Sequence, residues 1–363
     1  MIPRTIVFAG GGTAGHIEPA LAIAQGWKSL HPLDQEIFLG TIHGLENTLV
    51  PAAGFRLCHI PKVVMPRKLG LGLLTSPWKF YKALGATRTA IAGTDLLIGF
   101  GGYVAAPAYV AARLEKIPIV IHEANAKVGW ANRLGSLFTH NLATAHQINR
   151  GSFASARVTG LPLKMSILSA VEEASQNWEK SRRLAKISLG WSPEQPTLLV
   201  LGGSQGSAFI NGVMADALVW LVEEGVQIHH SVGVKNKLPE KRENYLPVAY
   251  IEDVATALLA ADIVVARSGA VTCAEFGALG RYGLFIPLPI GNGEQAKNAE
   301  SLIAAQRARV ILQENFSAHW LVNNFYEILS ASKATDPSAL PNDLHAIHEL
   351  LVLMQSSMKK ATK

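Results

Sequence analysis

Between Asn47 and Thr94 this chain has no acidic residue, and several other absences narrow what it can be. There are only two cysteines, Cys58 and Cys273. They have no paired spacing, which excludes a disulfide framework and a cysteine metal site and suits a reducing compartment. No Asp-x-Asp pair occurs anywhere, so no metal centre of that type is expected. No apolar run approaches the roughly eighteen residues of a membrane-spanning helix. The apolar run at the N-terminus is too short for a signal peptide and leads directly into a glycine loop. Low-complexity segments are missing as well. Charged residues make up only 17% and apolar ones 49%, the balance of a globular protein with a generous core. The net charge of +6 favours an anionic partner, whether phosphate, nucleic acid or a lipid surface.

With 363 residues, two domains are expected. The first half alternates short apolar runs with helically spaced segments. Strands are predicted at 5–9, 36–40, 56–60, 95–99, 117–121, 141–145 and 157–158. Helices are predicted at 19–30, 45–53, 77–91, 105–114 and 130–137. A polar helical connector, 166–186, leads to a second series of strands at 197–201, 227–232, 248–251, 262–266, 284–287 and 309–312. Glycine-rich turns after apolar strands argue for an α/β fold with doubly wound parallel sheets. The run Thr5-Ile-Val-Phe-Ala-Gly-Gly-Gly matches Thr197-Leu-Leu-Val-Leu-Gly-Gly-Ser in pattern, a weak internal repeat. The expected architecture is therefore twin Rossmann-like domains facing a cleft, 1–162 and 163–342. The closing helix, 343–363, is expected to pack back on the first domain.

Chemistry concentrates at the strand ends. The stretch from Asp262 to Asn298 reads as a buried strand, the Ser268-Gly269 break, a helix over 272–280, a second strand, and a polar loop with Glu294, Gln295 and Asn298. Free amides at that helix start, with its positive dipole end, make an anion site. Glu275 beside it makes sense as an acceptor for sugar hydroxyls. Gly10, Gly12 and Gly15 satisfy G-x-G-x-x-G between a strand and a helix. The second strand, however, carries no carboxylate at its C-terminal end to hold an adenosine ribose, so a dinucleotide reading lacks its second requirement. His16 follows the loop at a helix start, where the dipole disfavours imidazolium and keeps a base neutral near pH 7. A capping or packing histidine is the bland alternative. Two more loops, Gly101-Gly102-Tyr103 and His122-Glu-Ala-Asn125, sit at ends of buried strands, where site residues collect.

Together, Gly11-Gly-Thr-Ala-Gly-His16, Gly101-Gly-Tyr103, His122-Glu-Ala-Asn125, Gly202-Gly-Ser-Gln-Gly206, Arg267-Ser-Gly-Ala-Val-Thr272 with Glu275, and Gln295 to Asn298 resemble one family. It is the family of peptidoglycan N-acetylglucosaminyltransferases with the glycosyltransferase B (GT-B) fold, and the resemblance runs in order over nearly the whole chain. It implies transfer of GlcNAc from UDP-GlcNAc to the 4-hydroxyl of MurNAc on undecaprenyl-diphospho-MurNAc-pentapeptide (lipid I), with inversion, giving lipid II. It implies no cofactor and no required metal. It places the acceptor in the first domain, the donor in the second, and the protein peripherally on the cytoplasmic face of a bacterial inner membrane, among other cell-wall synthesis proteins.

Carried over by motif, the resemblance makes His16 the candidate base. Thr13, Ala14 and Gly15 would line the diphosphate region, and Asn125 would contact the donor sugar. Lys164 and Ser204 join the binding set, with Ile251 at the uracil. The run Ala270, Val271, Thr272, Cys273, Ala274 and Glu275 would meet diphosphate and ribose. Glu294, Gln295 and Asn298 would meet the sugar, and Gly101, Gly102 and Tyr103 would serve the acceptor side. Three departures stand out: Ala14 puts a methyl group in the glycine loop, Lys164 replaces an arginine fork, and Glu294 is acidic where a neutral or histidine side chain is usual.

The acid-free stretch suits the same reading. Leu73, Leu74 and Trp78, with Phe80 and Tyr81, are interleaved with Arg67, Lys68, Lys79 and Lys82. A basic, aromatic surface of this kind lies on an anionic bilayer without crossing it. Gly70, Gly72 and Pro77 are expected to interrupt any regular helix there. Three alternatives compete. Another UDP-sugar transferase with a lipid acceptor would share the domains and the patch. A nicotinamide-dependent oxidoreductase would use the first glycine loop. A nucleic-acid-binding protein would explain the charge, but the chain shows no motif for it, and nucleic acid is not expected as a partner.

Overall fold

The computed structural model describes residues 3–62, 72–203, 205–289, 293–335, 338 and 343–361. The chain divides into two compact units, Met1–Lys164 with Asn342–Lys363, and Met165–Pro341.

Unit 1 is built on β1 (Thr5–Gly10), β2 (Gln35–Gly40), β3 (Arg56–His59), β4 (Leu96–Gly101), β5 (Ile119–Glu123), β6 (Leu142–Thr144) and β7 (Arg157–Val158). All neighbours are parallel, in the order β3-β2-β1-β4-β5-β6-β7. Helices α1 (Ala14–Leu30), α2 (Glu46–Ala52), α3 (Gly72–Ala90), α4 (Ala105–Leu114) and α5 (Trp130–Gly135) connect them. The period-2 geometry of a strand divides β1 between two cores. Ile6 and Phe8 pack with Ile17 and Trp27 of α1, whereas Val7 and Ala9 face Leu39 and Tyr109. Because both faces are covered, β4 is buried at every position.

Unit 2 repeats this plan with β8 (Thr197–Leu201), β9 (Gln227–Ser231), β10 (Tyr245–Val248), β11 (Ile263–Ala266), β12 (Gly283–Phe285) and β13 (Ala308–Val310), ordered β10-β9-β8-β11-β12-β13. Its helices are α6 (Met165–Gln176), α7 (Trp178–Ser188), α8 (Ala208–Glu223), α9 (Val254–Ala260), α10 (Ala270–Ala278), α11 (Glu294–Asn298), α12 (Glu300–Ala304) and α13 (Ala318–Ala334). The last helix, α14 (Ala346–Ala361), returns to unit 1, where Leu350, Leu351 and Met354 join the core against α1.

The internal repeat extends to single hydrogen bonds. At the start of the first strand pair, the Thr5 amide donates to the Asp95 carboxylate at 2.8 Å, and the Asp95 amide donates to the Thr5 carbonyl at 2.9 Å. In unit 2, Thr197 and Asp262 make the same two bonds at 2.8 and 2.9 Å. Asp262 also pairs with Arg182 and Lys186 at 2.7 and 2.8 Å, so the residue that opens the Asp262–Asn298 stretch anchors the sheet at the edge away from the strand C-termini.

Several expected boundaries shift. The helix after the first glycine loop starts at Ala14, five residues earlier than its apolar spacing suggests, because Gly15 and His16 form its first turn. The connector is two helices, α6 and α7, divided at Asn177, whose side chain caps the second by accepting from the Lys180 amide. The third strand of unit 2 is Tyr245–Val248 and not 248–251, so Ile251 lies beyond it. Neither Gly72 nor Pro77 interrupts α3, which runs over both. Among the described residues no helix is long and apolar enough to cross a membrane.

Candidate functional site

In each sheet the chain reverses its direction of strand addition between two neighbours, β1 and β4 in unit 1 and β8 and β11 in unit 2. Loops at the C-terminal ends of such a pair splay apart and leave room for a ligand.

In unit 1 the loops after β1 and β4 meet glycine against glycine. A Cβ on Gly102 would stand 2.3 Å from the Gly11 carbonyl oxygen and 3.2 Å from His16 Nδ1, and one on Gly12 would stand 2.5 Å from the Tyr103 ring. Gly102 also has φ of +80°, which excludes a side chain on backbone grounds. His16 is thus half-buried against Gly101 and Gly102, with Thr13 Oγ1 at 3.2 Å from its Nδ1. Burial holds the His16 imidazole below its ordinary pKa, and the Glu123 charge and the Gly11 carbonyl pull it partly back. Ala14 and Gly15 are the first two residues of α1, so their amides have no carbonyl to bond within the helix.

Two buried carboxylates brace this corner. Glu46 accepts from the Gly12 amide at 3.2 Å, from the Thr41 amide and hydroxyl at 2.9 and 3.2 Å, and from the Tyr103 hydroxyl at 3.2 Å. Glu123 accepts from the Asn125 amide and side chain at 3.0 and 3.1 Å, the Gly129 amide at 2.8 Å and Asn132 Nδ2 at 2.9 Å. Asn125, expected at the sugar, is therefore set by Glu123. His122 is fully buried; its Nε2 donates to the Gly160 carbonyl at 2.9 Å, and burial lowers its pKa to about 4. Lys164 pairs with Glu18 of α1 at 2.9 Å, so its charge is already balanced within unit 1. Lys62 lies 4.8 Å from the centre of the Tyr103 ring, a cation–π contact at the rim.

Unit 2 is braced by a cation. Arg267 is buried, yet among the described residues its guanidinium meets only neutral acceptors: the Ile286 and Pro287 carbonyls at 3.0 and 3.2 Å, Ser207 Oγ at 2.9 Å and Gln313 Oε1 at 2.7 Å. It ties the glycine loop after β8 to the end of β12. Burial lowers its pKa. Asn298 of α11 is buried and donates to the Ser268 carbonyl at 3.3 Å, while Gln295 Oε1 accepts from the Leu288 amide at 3.0 Å. These bonds bring the loops after β11 and β12 together around the N-terminus of α10.

That helix begins at Ala270, two residues before the predicted start at Thr272. Ala270, Val271 and Thr272 form its first turn, with Cys273 and Ala274 buried behind. Glu275 consequently sits in the second turn, buried, and not at the helix start. Its position there is that of a side chain reaching over the first turn, since helical side chains point back toward the N-terminus. Glu294 opens α11, preceded by Gly293 at φ +75°. Ile251 is buried beyond β10. Ser204 and the side chains of Leu73 and Leu74 lie outside the described residues. Trp78 is 73% exposed and Tyr81 71%, their rings 6.3 Å apart and near parallel.

Four braces escape a reading by motif alone: Glu18, Glu46, Asn132 and the buried geometry of Arg267. Glu46 carries no local sign in the sequence, because its partners come from the ends of three different strands. A carboxylate at the C-terminal end of a short apolar strand, as in Ile119-Val-Ile-His-Glu123, is a sign that could have found Glu123.

Comparison with known proteins agrees with this architecture. Residues 6–144 match the glycosyltransferase family 28 N-terminal domain and residues 197–351 the glycosyltransferase family 28 C-terminal domain. The UDP-N-acetylglucosamine–N-acetylmuramyl-(pentapeptide) pyrophosphoryl-undecaprenol N-acetylglucosamine transferase of Corynebacterium glutamicum is 43% identical over 326 residues, 89% of each chain. The enzyme of the same name from Streptomyces coelicolor is 40% identical over 332 residues, 90% of this chain and 89% of its own. The crystal structure of Acinetobacter baumannii MurG superposes with a TM-score of 0.71 at 27% identity, covering 98% of this chain and 100% of that one. Two parallel-sheet units with their loops assembled at the strand reversals, and similarity of this depth along nearly the whole chain, lead to one assignment. The chain belongs to the MurG family of glycosyltransferase family 28, with the GT-B fold.

Proposed function

We propose that this chain transfers GlcNAc from UDP-GlcNAc to the MurNAc 4-hydroxyl of lipid I, forming lipid II. The observation that carries this reading is identity of 40–43% over about nine-tenths of the chain to enzymes named for that transfer. The site chemistry supports it residue by residue.

Unit 1 takes the acceptor. His16, neutral at pH 7 because burial lowers its pKa, removes the proton as the acceptor hydroxyl attacks the anomeric carbon. Attack opposite the departing UDP inverts that centre. Gly101, Gly102 and Tyr103 frame the approach, and the free amides of Ala14 and Gly15 receive phosphate oxygens at the helix N-terminus. Asn125, held by Glu123, presents to the donor sugar.

Unit 2 takes the donor. The first turn of α10, Ala270 to Thr272, receives the diphosphate, Glu275 the ribose hydroxyls, and Glu294, Gln295 and Asn298 the sugar. Ser204 joins the diphosphate set and Ile251 the uracil. Arg267 adds a fixed positive charge near the leaving group. Lys164, paired with Glu18, has a weaker claim on substrate than the motif gives it.

The protein works peripherally at the cytoplasmic face of the inner membrane. Exposed Trp78 and Tyr81 on α3, among lysines and without any acid from 47 to 94, support docking on anionic lipid. Other cell-wall synthesis proteins are expected partners there. Incubation with labelled UDP-GlcNAc and a lipid I analogue should yield the β-linked disaccharide lipid and UDP in equal amounts. Transfer to diacylglycerol in place of the analogue, or hydrolysis of the donor alone, would overturn the reading.

A further inference from the structure

The mechanism above gives Glu46 no task, although it is fully buried and is the most heavily bonded carboxylate in unit 1 outside the strand ends. Among the described residues no cation pairs with it, and a buried carboxylate is then costly unless its hydrogen bonds are complete. Here they are divided unequally. Oε1 accepts three, from the Thr41 amide, the Thr41 hydroxyl and the Tyr103 hydroxyl. Oε2 accepts one, from the Gly12 amide.

The two oxygens therefore serve different ends. Oε1 fixes the carboxylate to the end of β2 and to Tyr103. Oε2 reaches into the glycine loop that precedes His16. The fit is tight at both ends: a Cβ on Gly40 would stand 2.5 Å from the Glu46 side chain, and Gly12 lies against the Tyr103 ring that the same carboxylate holds. From Gly12 the path to the base is short. Gly11 abuts Gly102, Gly102 abuts the His16 ring, and Thr13 Oγ1 lies 3.2 Å from His16 Nδ1.

We propose that Glu46 is a positioning residue for transfer, holding the Gly12 amide and the Tyr103 hydroxyl so that the two glycine loops close on His16 in its working orientation. The proposal rests on the reading of His16 as the base. It also assigns the Gly12 amide to the protein: that N–H is used by Glu46, which leaves the amides of Ala14 and Gly15 as the donors for a ligand at this loop.

The unequal bonding supplies the test. Glu46→Gln can keep Oε1 and its three donors, but then places an amide NH2 against the Gly12 N–H, donor against donor. Glu46→Asp keeps the charge and is one methylene too short to hold both ends. Thermal unfolding, steady-state kinetics over pH 5–9 and hydrogen exchange of the peptide containing Gly12 are measured on the full chain. For Glu46→Gln the expected result is a kcat at least tenfold lower, with an unchanged donor KM, a lowered melting temperature that leaves the chain folded under assay conditions, and faster exchange at Gly12. The acid limb of its pH profile should keep its midpoint, because the carboxylate charge that acts on His16 is that of Glu123, which the substitution leaves in place. Glu46→Asp should show the same loss of kcat despite its retained charge, so the proposal survives if Glu46→Gln alone misfolds. Wild-type kcat in both variants would overturn it, as would a loss matched by the unfolded fraction. If wild-type protein transfers no sugar, the function reading fails, and unaltered Gly12 exchange in the variants would separately sink the positioning claim.

Discussion

The two units share strand order, the same reversal point and even the same threonine–aspartate clasp, yet they bury opposite charges at the ligand edge. Unit 1 braces its loops with Glu46 and Glu123, and unit 2 braces its equivalent loop with Arg267. In a low-dielectric interior the sign of a fixed charge biases what chemistry can follow. The Glu123 charge raises the basicity of His16 against the opposing pull of burial, which suits a group that must take a proton from a hydroxyl. A cation joined to neutral acceptors keeps its positive field, which suits a site where negative charge develops on a leaving diphosphate. One fold, used twice, has become a proton-accepting half and an anion-holding half by the choice of brace.

That contrast predicts lesions that separate by unit, and the largest belongs to His16. Replacing it with Ala should lower kcat by about 10²–10⁴-fold, the usual contribution of a general base. UDP-GlcNAc affinity measured by calorimetry should be unchanged, because the donor contacts assigned above, Asn125 apart, belong to unit 2. The wild-type rate should fall with acid only below pH 6.5: burial lowers the His16 pKa, so the ring is neutral at pH 7 and is protonated, hence lost as a base, further down. An acid limb centred above pH 7, or a donor affinity that collapses with His16, would break the division of labour.

The next effect concerns a feature unit 1 has and unit 2 lacks. Trp78→Ser with Tyr81→Ser removes two exposed aromatic side chains from α3. At about 1.5 kcal/mol each for apolar burial, binding to anionic vesicles should weaken by about 150-fold. Turnover of a short, water-soluble acceptor should be preserved. Equal loss with both acceptors would show that α3 serves the fold and not the bilayer.

A smaller change tests unit 2. Glu275→Ala should weaken UDP-GlcNAc binding by about 1.5–3 kcal/mol, the range for a hydrogen bond to a charged group, or about 10–150-fold in Kd. Melting should shift little. An unchanged Kd would remove Glu275 from the ribose.

The sequence makes the doubly wound plan legible because parallel strands buried on both faces appear as unbroken apolar runs; Ile263–Ala266 and Leu96–Gly101 are of this kind. Helix starts are less legible. A first turn such as Gly15-His16 or Ala270-Val271 is too short to show an apolar period, so helices that open on it seem to begin too late. The site loops are visible through their glycines, which the close approach of Gly12 to Tyr103 and of Gly102 to Gly11 requires. The braces are not visible, since Glu46 and Arg267 gain meaning chiefly from partners far away in sequence, such as Gly12 and Tyr103 for Glu46 and Ser207 and Gln313 for Arg267. Pro77 misleads in the other direction: its ring removes one amide, but the helix continues through it.

The smallest expected effect is none at all, and it bears on how unit 2 handles the leaving group. Charge building on the β-phosphate as the sugar departs needs compensation, and many sugar transferases supply it with a metal held by an Asp-x-Asp pair. This chain has no such pair in its full sequence. What it offers instead is the first turn of α10, whose amides at Ala270 and Val271 lack helical partners, and the Arg267 guanidinium three residues before the turn begins. Both are fixed before substrate arrives, so they respond to the developing charge without reorganising. The initial rate with lipid I analogue should therefore be the same in excess EDTA as in added magnesium. If chelation abolishes transfer and magnesium or manganese restores it, the cationic brace is insufficient alone, and the opposition of buried charges between the two units loses its mechanistic meaning.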